Sequence, residues 1–277
     1  MTDSGVVAVF DSGVGGLSVW HEIRHQLPHE DTCYLADQAH VPYGCRPLDQ
    51  VREFAHQITR FLLEQGAKVV VVACNTASAA ALHPLRRAFP TVPFVGMEPA
   101  VKPAAERTRN GVVGVMATPA TFQGELFASL LERYASDVRV VPQVCPGLVE
   151  AVEAGELDTP ETEALLRRYL IPLVEAKVDQ LVLGCTHYPF LRPVIQRVMG
   201  EGVAVIDPAP AVARQVGRVL AQQGLEADAD RGARHLFYTS GDLIAFRELI
   251  ARLPLPQADA VDVRPVYWRA GRLYRDL

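Results

Sequence analysis

The chain has 277 residues, of which 49% are hydrophobic, and a formal net charge of −5 at pH 7. This length accommodates one large or two ordinary domains, and the composition is typical of a compact protein, not a disordered one. The acidic balance, without a Lys/Arg cluster, argues against a nucleic-acid-binding surface.

No apolar stretch approaches the roughly 20 residues of a membrane span, and the first residues lack the basic segment of a signal peptide. Five widely spaced cysteines do not form a disulfide framework, so we expect a cytoplasmic protein.

Short apolar runs alternate with helical patterns along most of the chain, which is typical of βαβ units around a parallel sheet. The runs predict strands at Val6–Phe10, Thr32–Ala36, Val69–Ala73, Phe94–Gly96, Val112–Met116, Val138–Pro142, Gln180–Gly184 and Val203–Ile206, with a later one in "HLFYTS". Predicted helices include Leu48–Gln65, Thr121–Tyr134, Glu161–Ala176, Pro210–Gln223 and Asp242–Leu253. The alternation favours a doubly wound α/β fold with right-handed crossovers.

The two halves of the chain look alike. The segments "GVVAVFDS" at Gly5 and "GVVGVMAT" at Gly111 are 106 residues apart, and two strand–cysteine units are 111 residues apart. This nearly constant offset predicts two similar doubly wound parallel-sheet domains that face each other across a cleft. We place the first domain at 1–98 plus 209–277, with the tail packing back on it, and the second at 99–208. One continuous sheet is the alternative.

Two cysteines occupy matching positions, each directly after a run that predicts a buried strand. Cys74 follows "VVVVA" and Cys185 follows "LVLG", so both fall at the strand ends where open α/β sheets bind ligands. A thiol acts as a base only as thiolate, which a helix amino terminus or a neighbouring cation favours by lowering its pKa. We expect the helix after Cys74 and the side chain of His187 to provide these two effects. The pair therefore predicts two bases on opposite sides of one substrate, unless both thiols are merely buried small hydrophobic groups.

Asp11 and Ser12 end the first predicted strand and lead into the glycines of "GVGG". Glycines let a backbone approach a ligand closely, and the following helix offers free N–H groups to an anion. A dinucleotide site is the alternative, with Asp37 as its acidic residue. The spacing G-x-G-G, in place of G-x-G-x-x-G, argues against it. The carboxylate of Asp11 would also repel a pyrophosphate, and it suits an ammonium group better.

Further polar residues fall at the same predicted edge. The turn formed by Pro42, Tyr43 and Gly44 offers backbone N–H groups to a carboxylate. Short hydrogen-bonding side chains accompany the cysteines and the matching strand end of the second half: Asn75, Thr76, Thr118, Thr121 and Thr186. Of these, Thr118 and Thr121 are equally interpretable as helix caps.

The remaining polar and sulfur-containing candidates have weaker sequence contexts. Glu153 falls on or beside a short helix, where most glutamates are solvated. Cys33, Cys45 and Cys145 lack the strand-end context, so we expect them to be inert. No metal site is expected, because there is no C-x-x-C pair and no second histidine near His187.

Six segments occur in order along the chain: "FDSGVGGLSV", "ADQAHVPYG", "ACNTASA", "TPATF", "LGCTHYP" and "FYTSGD". As a set they resemble the glutamate racemases of the cofactor-independent aspartate/glutamate racemase superfamily, over essentially the whole length. The resemblance implies two α/β domains that enclose glutamate, with Cys74 and Cys185 as the two proton donors and acceptors. Asp11, Glu153 and His187 match positions that assist the thiols. The implied substrate contacts are Asp11, Ser12, Tyr43, Gly44, Asn75, Thr76, Thr186 and His187, with Thr118 and Thr121 as additions.

The reaction implied by the resemblance agrees with the hypothesis that Cys74 and Cys185 act as two bases on one substrate. Racemisation removes the Cα proton on one face and returns a proton on the other, which requires one thiolate and one thiol with exchanging roles. The resemblance implies that Cys74 abstracts from D-glutamate and Cys185 from L-glutamate, and that the product supplies bacterial peptidoglycan. No cofactor is expected, since none of the three lysines (Lys68, Lys102 and Lys177) follows a strand as a pyridoxal phosphate enzyme would require.

Other functions are still open at this point. An aspartate racemase or a related isomerase would share both thiols, and a two-domain cleft could bind an amino acid without converting it. The partner predicted here is a small-molecule substrate, with no nucleic acid and no membrane. A homodimer is compatible with the sequence.

Overall fold

The computed structural model describes residues 5–123, 125–229, 232–256 and 261–275. Within these ranges the strands are β1 Val6–Asp11, β2 Thr32–Ala36, β3 Ala67–Val72, β4 Phe94–Gly96, β5 Val112–Ala117, β6 Arg139–Val144, β7 Gln180–Gly184, β8 Ala204–Ile206, β9 His235–Thr239, β10 Asp262–Pro265, β11 Tyr267–Arg269 and β12 Arg272–Tyr274. The helices are α1 Leu17–Gln26, α2 Leu48–Glu64, α3 Asn75–Ala88, α4 Val101–Arg107, α5 Pro119–Gln123, α6 Glu125–Tyr134, α7 Leu148–Glu153, α8 Pro160–Glu175, α9 Arg192–Met199, α10 Ala209–Gln223 and α11 Leu243–Arg252.

Two parallel sheets organise the chain. The first has the strand order β10-β9-β2-β1-β3-β4, and the second has the order β6-β5-β7-β8. Their central strands consist of buried aliphatic residues, as expected for parallel sheets covered by helices on both faces. The fold is therefore the predicted α/β fold with two doubly wound parallel-sheet domains.

The internal duplication is visible in the topology. The order β2-β1-β3-β4 of the first sheet has the same pattern as β6-β5-β7-β8 of the second, so β1 corresponds to β5 and β3 to β7. In each sheet the chain reverses its direction of winding between these two strands, which creates the crevice where doubly wound sheets bind ligands. Asp11 ends β1 and Cys74 follows β3, whereas Cys185 follows β7 in the other sheet. The fold thus brings both thiols to equivalent switch points.

The segment after β8 extends the first sheet, because β9 pairs with β2 and β10 pairs with β9. The division at 98/99 and 208/209 stays our proposal for the domain boundaries. The largest cluster of buried apolar residues includes Val9 of the first sheet and Leu183 of the second, so the two halves share a core. Among the described helices, none has both the length and the apolar character needed to cross a membrane.

The predicted helix Thr121–Tyr134 corresponds to α5 and α6, and its Gly124 lies outside the described residues. The hairpin of β11 and β12 was not predicted, because each strand has three residues and neither forms an apolar run. Its turn contains Ala270 and Gly271, both with positive φ angles, as two-residue hairpin turns of type I′ require.

Candidate functional site

A small cavity at the facing switch points contains both thiols. It leaves only about 10 Å³ for the centre of a water-sized sphere, and it is lined by Ser12, Pro42, Tyr43, Gly44, Cys74, Asn75, Thr76, Thr118, Val149, Cys185, Thr186 and His187. The two cysteine residues are only 5% and 7% exposed. Two wider surface depressions, around Arg60 and around Arg86, contain neither thiol. The cavity therefore joins most of the predicted site residues from both halves of the chain.

Cys74 directly precedes α3, so its sulfur lies at a helix amino terminus as predicted. The Ala77 backbone N–H bonds the sulfur and favours the thiolate. Burial nevertheless raises the pKa of the Cys74 thiol well above its usual value, and the charge of Asp11 raises it further. The expected net lowering by the helix was wrong, because a single N–H does not offset desolvation and a nearby carboxylate. Cys74 is therefore a thiol at neutral pH.

Asp11 is fully buried beside Cys74. Its Oδ2 accepts the Gly16 backbone N–H at 2.8 Å and the Thr186 hydroxyl at 3.4 Å, while Oδ1 accepts the Ser12 hydroxyl at 3.4 Å. Burial raises the pKa of Asp11, and the charge of His187 opposes this shift. A carboxylate held by these donors can accept a hydrogen bond from a substrate ammonium group.

The glycine loop after Asp11 (residues 13–16) packs against side chains of the protein itself. The sequence had predicted that it would bind an external anion. A Cβ at Gly13 would lie 1.8 Å from Oε1 of Glu153, and a Cβ at Gly15 would lie 2.3 Å from Nδ1 of His187. The backbone N–H of Val14 donates to Oε1 of Glu153 at 2.7 Å. The loop is rich in glycine because it must admit these two side chains from the second domain. The anions that its N–H groups bind are carboxylates of the chain itself.

Cys185 faces a charged pair. Nδ1 of His187 lies 3.8 Å from its sulfur, and Nε2 of His187 lies 2.7 Å from Oε1 of Glu153. Burial alone would lower the pKa of His187, but hydrogen bonds to Cys185 and Glu153 outweigh it and raise the pKa well above its usual value. Burial likewise opposes ionisation of Glu153, yet the hydrogen bond and charge of His187 lower the pKa of this carboxyl. An imidazolium therefore faces the Cys185 sulfur.

Hydroxyl groups connect the two halves on the other side of the cavity. Oγ1 of Thr118 lies 2.9 Å from Oγ1 of Thr76 and 3.0 Å from Oγ1 of Thr121. Thr118 also accepts the Thr121 backbone N–H at 3.4 Å, so it caps α5 and lines the cavity at once. Thr121 is buried behind it and does not line the cavity. Thr118 therefore acts as a helix cap and also lines the cavity, whereas Thr121 does not line it.

Asn75 is buried against the cavity, and neither its Nδ2 nor its Oδ1 has a hydrogen-bond partner. Buried polar groups are rarely left without partners, because desolvation without a hydrogen bond costs about 1–3 kcal/mol. An unpaired donor and acceptor beside two thiols indicate that a polar ligand completes this site.

The turn from Pro42 to Gly44 lines the cavity, as predicted. Its Tyr43 hydroxyl donates to Oδ2 of Asp37 at 2.6 Å, and burial followed by the charge of Asp37 raises the pKa of Tyr43 well above its usual value. A Cβ at Gly44 would lie 2.7 Å from Cβ of Thr118, so only glycine permits this contact between the halves. Asp37, which the dinucleotide alternative required as a ribose ligand, is already occupied within the protein.

Several contributors to the site were not identified from the sequence. Gln38 donates from Nε2 to Oε2 of Glu153 at 2.9 Å, and Val149 lines the cavity. Gln38 lies inside the segment "ADQAHVPYG", which was the one available indication. The role of Glu153 depended on the resemblance, and the structure places this side chain on His187. Contacts between residues over 100 positions apart have no local sequence pattern.

The other cysteines lie outside the cavity lining. Burial raises the pKa of Cys33 to about 12, and it also raises the pKa of Cys145. Cys45 is exposed. Lys68 lies 2.6 Å from Glu30 in a buried ion pair. Within the described residues no group of His, Cys, Asp and Glu side chains could hold a metal ion.

Comparisons with known proteins point to one family. The model of the Asp/Glu/Hydantoin racemase family matches residues 16–216. A glutamate racemase from Pseudomonas aeruginosa is 56% identical over 238 residues, which cover 86% of this chain and 89% of that protein. A solved glutamate racemase isoform from Bacillus anthracis has a TM-score of 0.84 at 33% identity and covers 97% of this chain and 98% of its own. A glutamate racemase from Escherichia coli, solved with L-glutamate, has a TM-score of 0.81 at 33% identity over 94% and 97% of the two chains.

Proposed function

Because this chain belongs to the Asp/Glu/Hydantoin racemase family, we propose that it interconverts L- and D-glutamate by proton transfer between Cα and two thiols. The observation that carries this proposal is that Cys74 and Cys185, 111 residues apart in sequence, line one small cavity. Racemisation needs a base and an acid on opposite faces of Cα. Two thiols on two different sheets can meet that requirement. The D-glutamate formed would supply peptidoglycan synthesis.

The two thiols have neighbours of opposite charge. Burial and Asp11 favour the thiol form of Cys74, while the imidazolium of His187 lies 3.8 Å from the sulfur of Cys185. We therefore assign Cys185 as the base and Cys74 as the acid for L-glutamate. The Cα–H bond breaks with its electron pair left on Cα, and the proton goes to the Cys185 sulfur. The Cys74 S–H bond then breaks and its proton goes to the opposite face of Cα. The reverse reaction exchanges the two roles.

Substrate binding would depend on neutral donors and on one carboxylate. Among the residues that the structure describes, the lining contains no lysine or arginine, but it has the hydroxyls of Ser12, Thr76, Thr118 and Thr186 and the unpaired amide of Asn75. Donors fixed in a water-poor cavity stabilise charge that develops on the α-carboxylate as the carbanion forms. Asp11 does not itself line the cavity, but it accepts from the lining hydroxyls of Ser12 and Thr186, and we assign it as the partner of the ammonium group. The hydroxyl and amide donors, together with the Asp11 carboxylate, match an amino acid with two carboxylates and one ammonium group.

We propose that the reaction needs no cofactor, that the enzyme is cytoplasmic, and that it forms a homodimer. Lys68 is engaged by Glu30 and lies outside the cavity lining, which supports a mechanism without a Schiff base. All five cysteines are free, as in a reducing compartment. Light scattering during size-exclusion chromatography tests the dimer.

Incubation with L-glutamate in D2O, in the presence of EDTA, tests the proposed activity. We expect D-glutamate to form and deuterium to appear at Cα, with unchanged rates when EDTA is omitted. The variant Cys45→Ser, which alters a cysteine outside the cavity, is the matched control and should behave like the unaltered protein. Activity that requires an added metal or pyridoxal phosphate would refute the proposal. Faster conversion of aspartate would reassign the substrate.

A further inference from the structure

Through Trp268, the C-terminal hairpin contacts Asp37, which is the hydrogen-bond partner of the cavity-lining Tyr43. This residue lies on β11, and its indole Nε1–H donates to Oδ1 of Asp37 at 2.7 Å. Its ring packs edge-on against His40, with centroids 4.9 Å apart, and also contacts Phe54. Trp268 and Asp37 are 231 positions apart, so this contact exists only because the tail folds back on the first sheet.

Asp37 is fully buried and accepts four side-chain hydrogen bonds. Trp268 and Ser240 donate to Oδ1, both at 2.7 Å, while Tyr43 at 2.6 Å and His40 at 2.9 Å contact Oδ2. Two carboxylate oxygens offer about four acceptor positions, so this set fills them all. Removing one donor would leave a buried charge incompletely satisfied, and the carboxylate would turn toward its remaining partners.

The orientation of Asp37 matters for the cavity because of Tyr43. The Tyr43 hydroxyl is fixed by Asp37, and Pro42, Tyr43 and Gly44 line the cavity beside Cys74. His40 stacks on Phe54 with centroids 3.9 Å apart, and its carbonyl accepts from Nε of Arg46 at 2.6 Å. The turn is thus held at both ends, and Trp268 contacts three of the residues that hold it: Asp37, His40 and Phe54.

We propose that Trp268 is a positioning residue for the substrate site, acting through Asp37 and Tyr43 on the turn from Pro42 to Gly44. The proposal rests on the glutamate racemase activity proposed above. Trp268 does not line the cavity and is not a catalytic residue. Its indole N–H determines how the turn presents its backbone to a bound carboxylate. The C-terminal hairpin accordingly supports the binding site from outside the cavity lining.

The variant Trp268→Phe separates the hydrogen bond from ring packing, since phenylalanine keeps an aromatic ring but has no donor. We expect KM to rise about tenfold for both enantiomers, which corresponds to about 1.4 kcal/mol, with kcat within about twofold because both thiols are untouched. The control Tyr274→Phe removes an exposed hydroxyl from the same hairpin and should leave KM unchanged. A destabilised hairpin without a positioning role would lower the Tm and the active fraction but not raise KM.

A double-mutant cycle identifies the route of the effect. If Trp268 acts through Tyr43, then Trp268→Phe/Tyr43→Phe should have nearly the KM of Tyr43→Phe alone, because the two changes remove one shared contact. A wild-type KM in Trp268→Phe, or fully additive effects, would overturn the proposal. Glutamate racemisation by the unaltered protein is measured separately. A protein without this activity would refute the proposed function, whereas an active protein with an unchanged KM in Trp268→Phe would refute only the role of Trp268.

A measurement on the unaltered protein tests the same link. The chain has two tryptophans, and Trp20 is fully buried, so acrylamide quenching of tryptophan fluorescence reports mainly on Trp268. If the turn and Trp268 are coupled, a ligand that stabilises the turn must stabilise the Trp268 contact in return. Saturating glutamate should therefore reduce quenching. Identical quenching with and without glutamate would contradict the coupling.

Discussion

Nε2 of His187 lies 2.7 Å from Oε1 of Glu153, and the backbone N–H of Val14 donates to the same oxygen at 2.7 Å. The imidazolium–carboxylate pair comes from the second domain, whereas Val14 belongs to the glycine loop of the first. The positive charge of His187 that faces Cys185 is therefore stabilised in part by the contact of Val14, in the first domain, with Glu153. Cys74 has a carboxylate neighbour instead, so the two thiols occupy electrostatically opposite surroundings.

Glu153→Gln tests the charge on His187. Glu153 helps to raise the pKa of His187, so the variant should lower that pKa and deprotonate the imidazole at a lower pH. In the direction from L- to D-glutamate, the alkaline limb of kcat/KM should move to lower pH. At neutral pH, kcat/KM should fall about tenfold to hundredfold, the factor for a hydrogen bond to a charged group. An unchanged pH profile would show that Glu153 does not control His187.

The same pair predicts a pH-dependent stability. The pKa of Glu153 is lowered, so its contribution is complete above the ordinary value of 4.5 and is lost as pH falls through the folded value. The pKa of His187 is raised, so its contribution is complete below 6.5 and is lost as pH rises through the folded value. Urea unfolding should show Glu153→Gln less stable by about 2 kcal/mol between pH 4.5 and 6.5. The difference should shrink in more acidic and more alkaline solution, and a constant difference would contradict the ion pair.

Asp11→Asn tests the state of Cys74. Burial is the larger cause of the raised pKa of Cys74 and persists in the variant, but the charge of Asp11 is removed. The pKa of Cys74 should therefore fall, and its alkylation by iodoacetamide at pH 8 should become several-fold faster, because a larger fraction of the sulfur is thiolate. Peptide mapping by mass spectrometry measures the rate at each cysteine. The exposed Cys45 serves as the internal control and should react equally in both proteins.

Gly15→Ala tests the packing of the glycine loop. The added Cβ would lie 2.3 Å from Nδ1 of His187, so the imidazole must leave its position beside the loop, and its contact with Cys185 changes. A misplacement of about 1 Å costs on the order of a hundredfold in rate, and we expect a loss of kcat/KM of that size. Gly202→Ala is the matched control, because no atom lies within 4 Å of its added Cβ. Near-wild-type kinetics in Gly15→Ala would mean that the loop does not restrain His187.

The positions of the thiols were predictable because they depend on local pattern. Each cysteine follows a buried aliphatic run, and parallel strands bring their carboxyl ends to one edge. The repeated order of the two sheets was likewise visible as a nearly constant offset between halves. Asp11 was predictable for the same reason, since it ends β1.

The electrostatics of the thiols could not be predicted from local pattern. The helix after Cys74 suggested a lowered pKa, but burial and Asp11 reverse its direction, and both depend on tertiary packing. The contact of Val14 with Glu153 spans 139 positions, and that of Trp268 with Asp37 spans 231. The short strand that holds Trp268 has no apolar run to reveal it. Such contacts depend on how the two sheets and the tail meet.

Partial reactions of Cys74→Ser and Cys185→Ser test the central claim most directly, namely that the two thiols act on opposite faces of Cα. A glutamate analogue whose carbanion expels a leaving group needs only the abstracting thiolate, so elimination can be followed separately for each enantiomer. We predict that both variants lose full racemisation, that Cys185→Ser loses elimination from the L-analogue, and that Cys74→Ser loses it from the D-analogue. Near-wild-type racemisation by either variant, or the same enantiomer preference in both, would contradict the two-thiol mechanism.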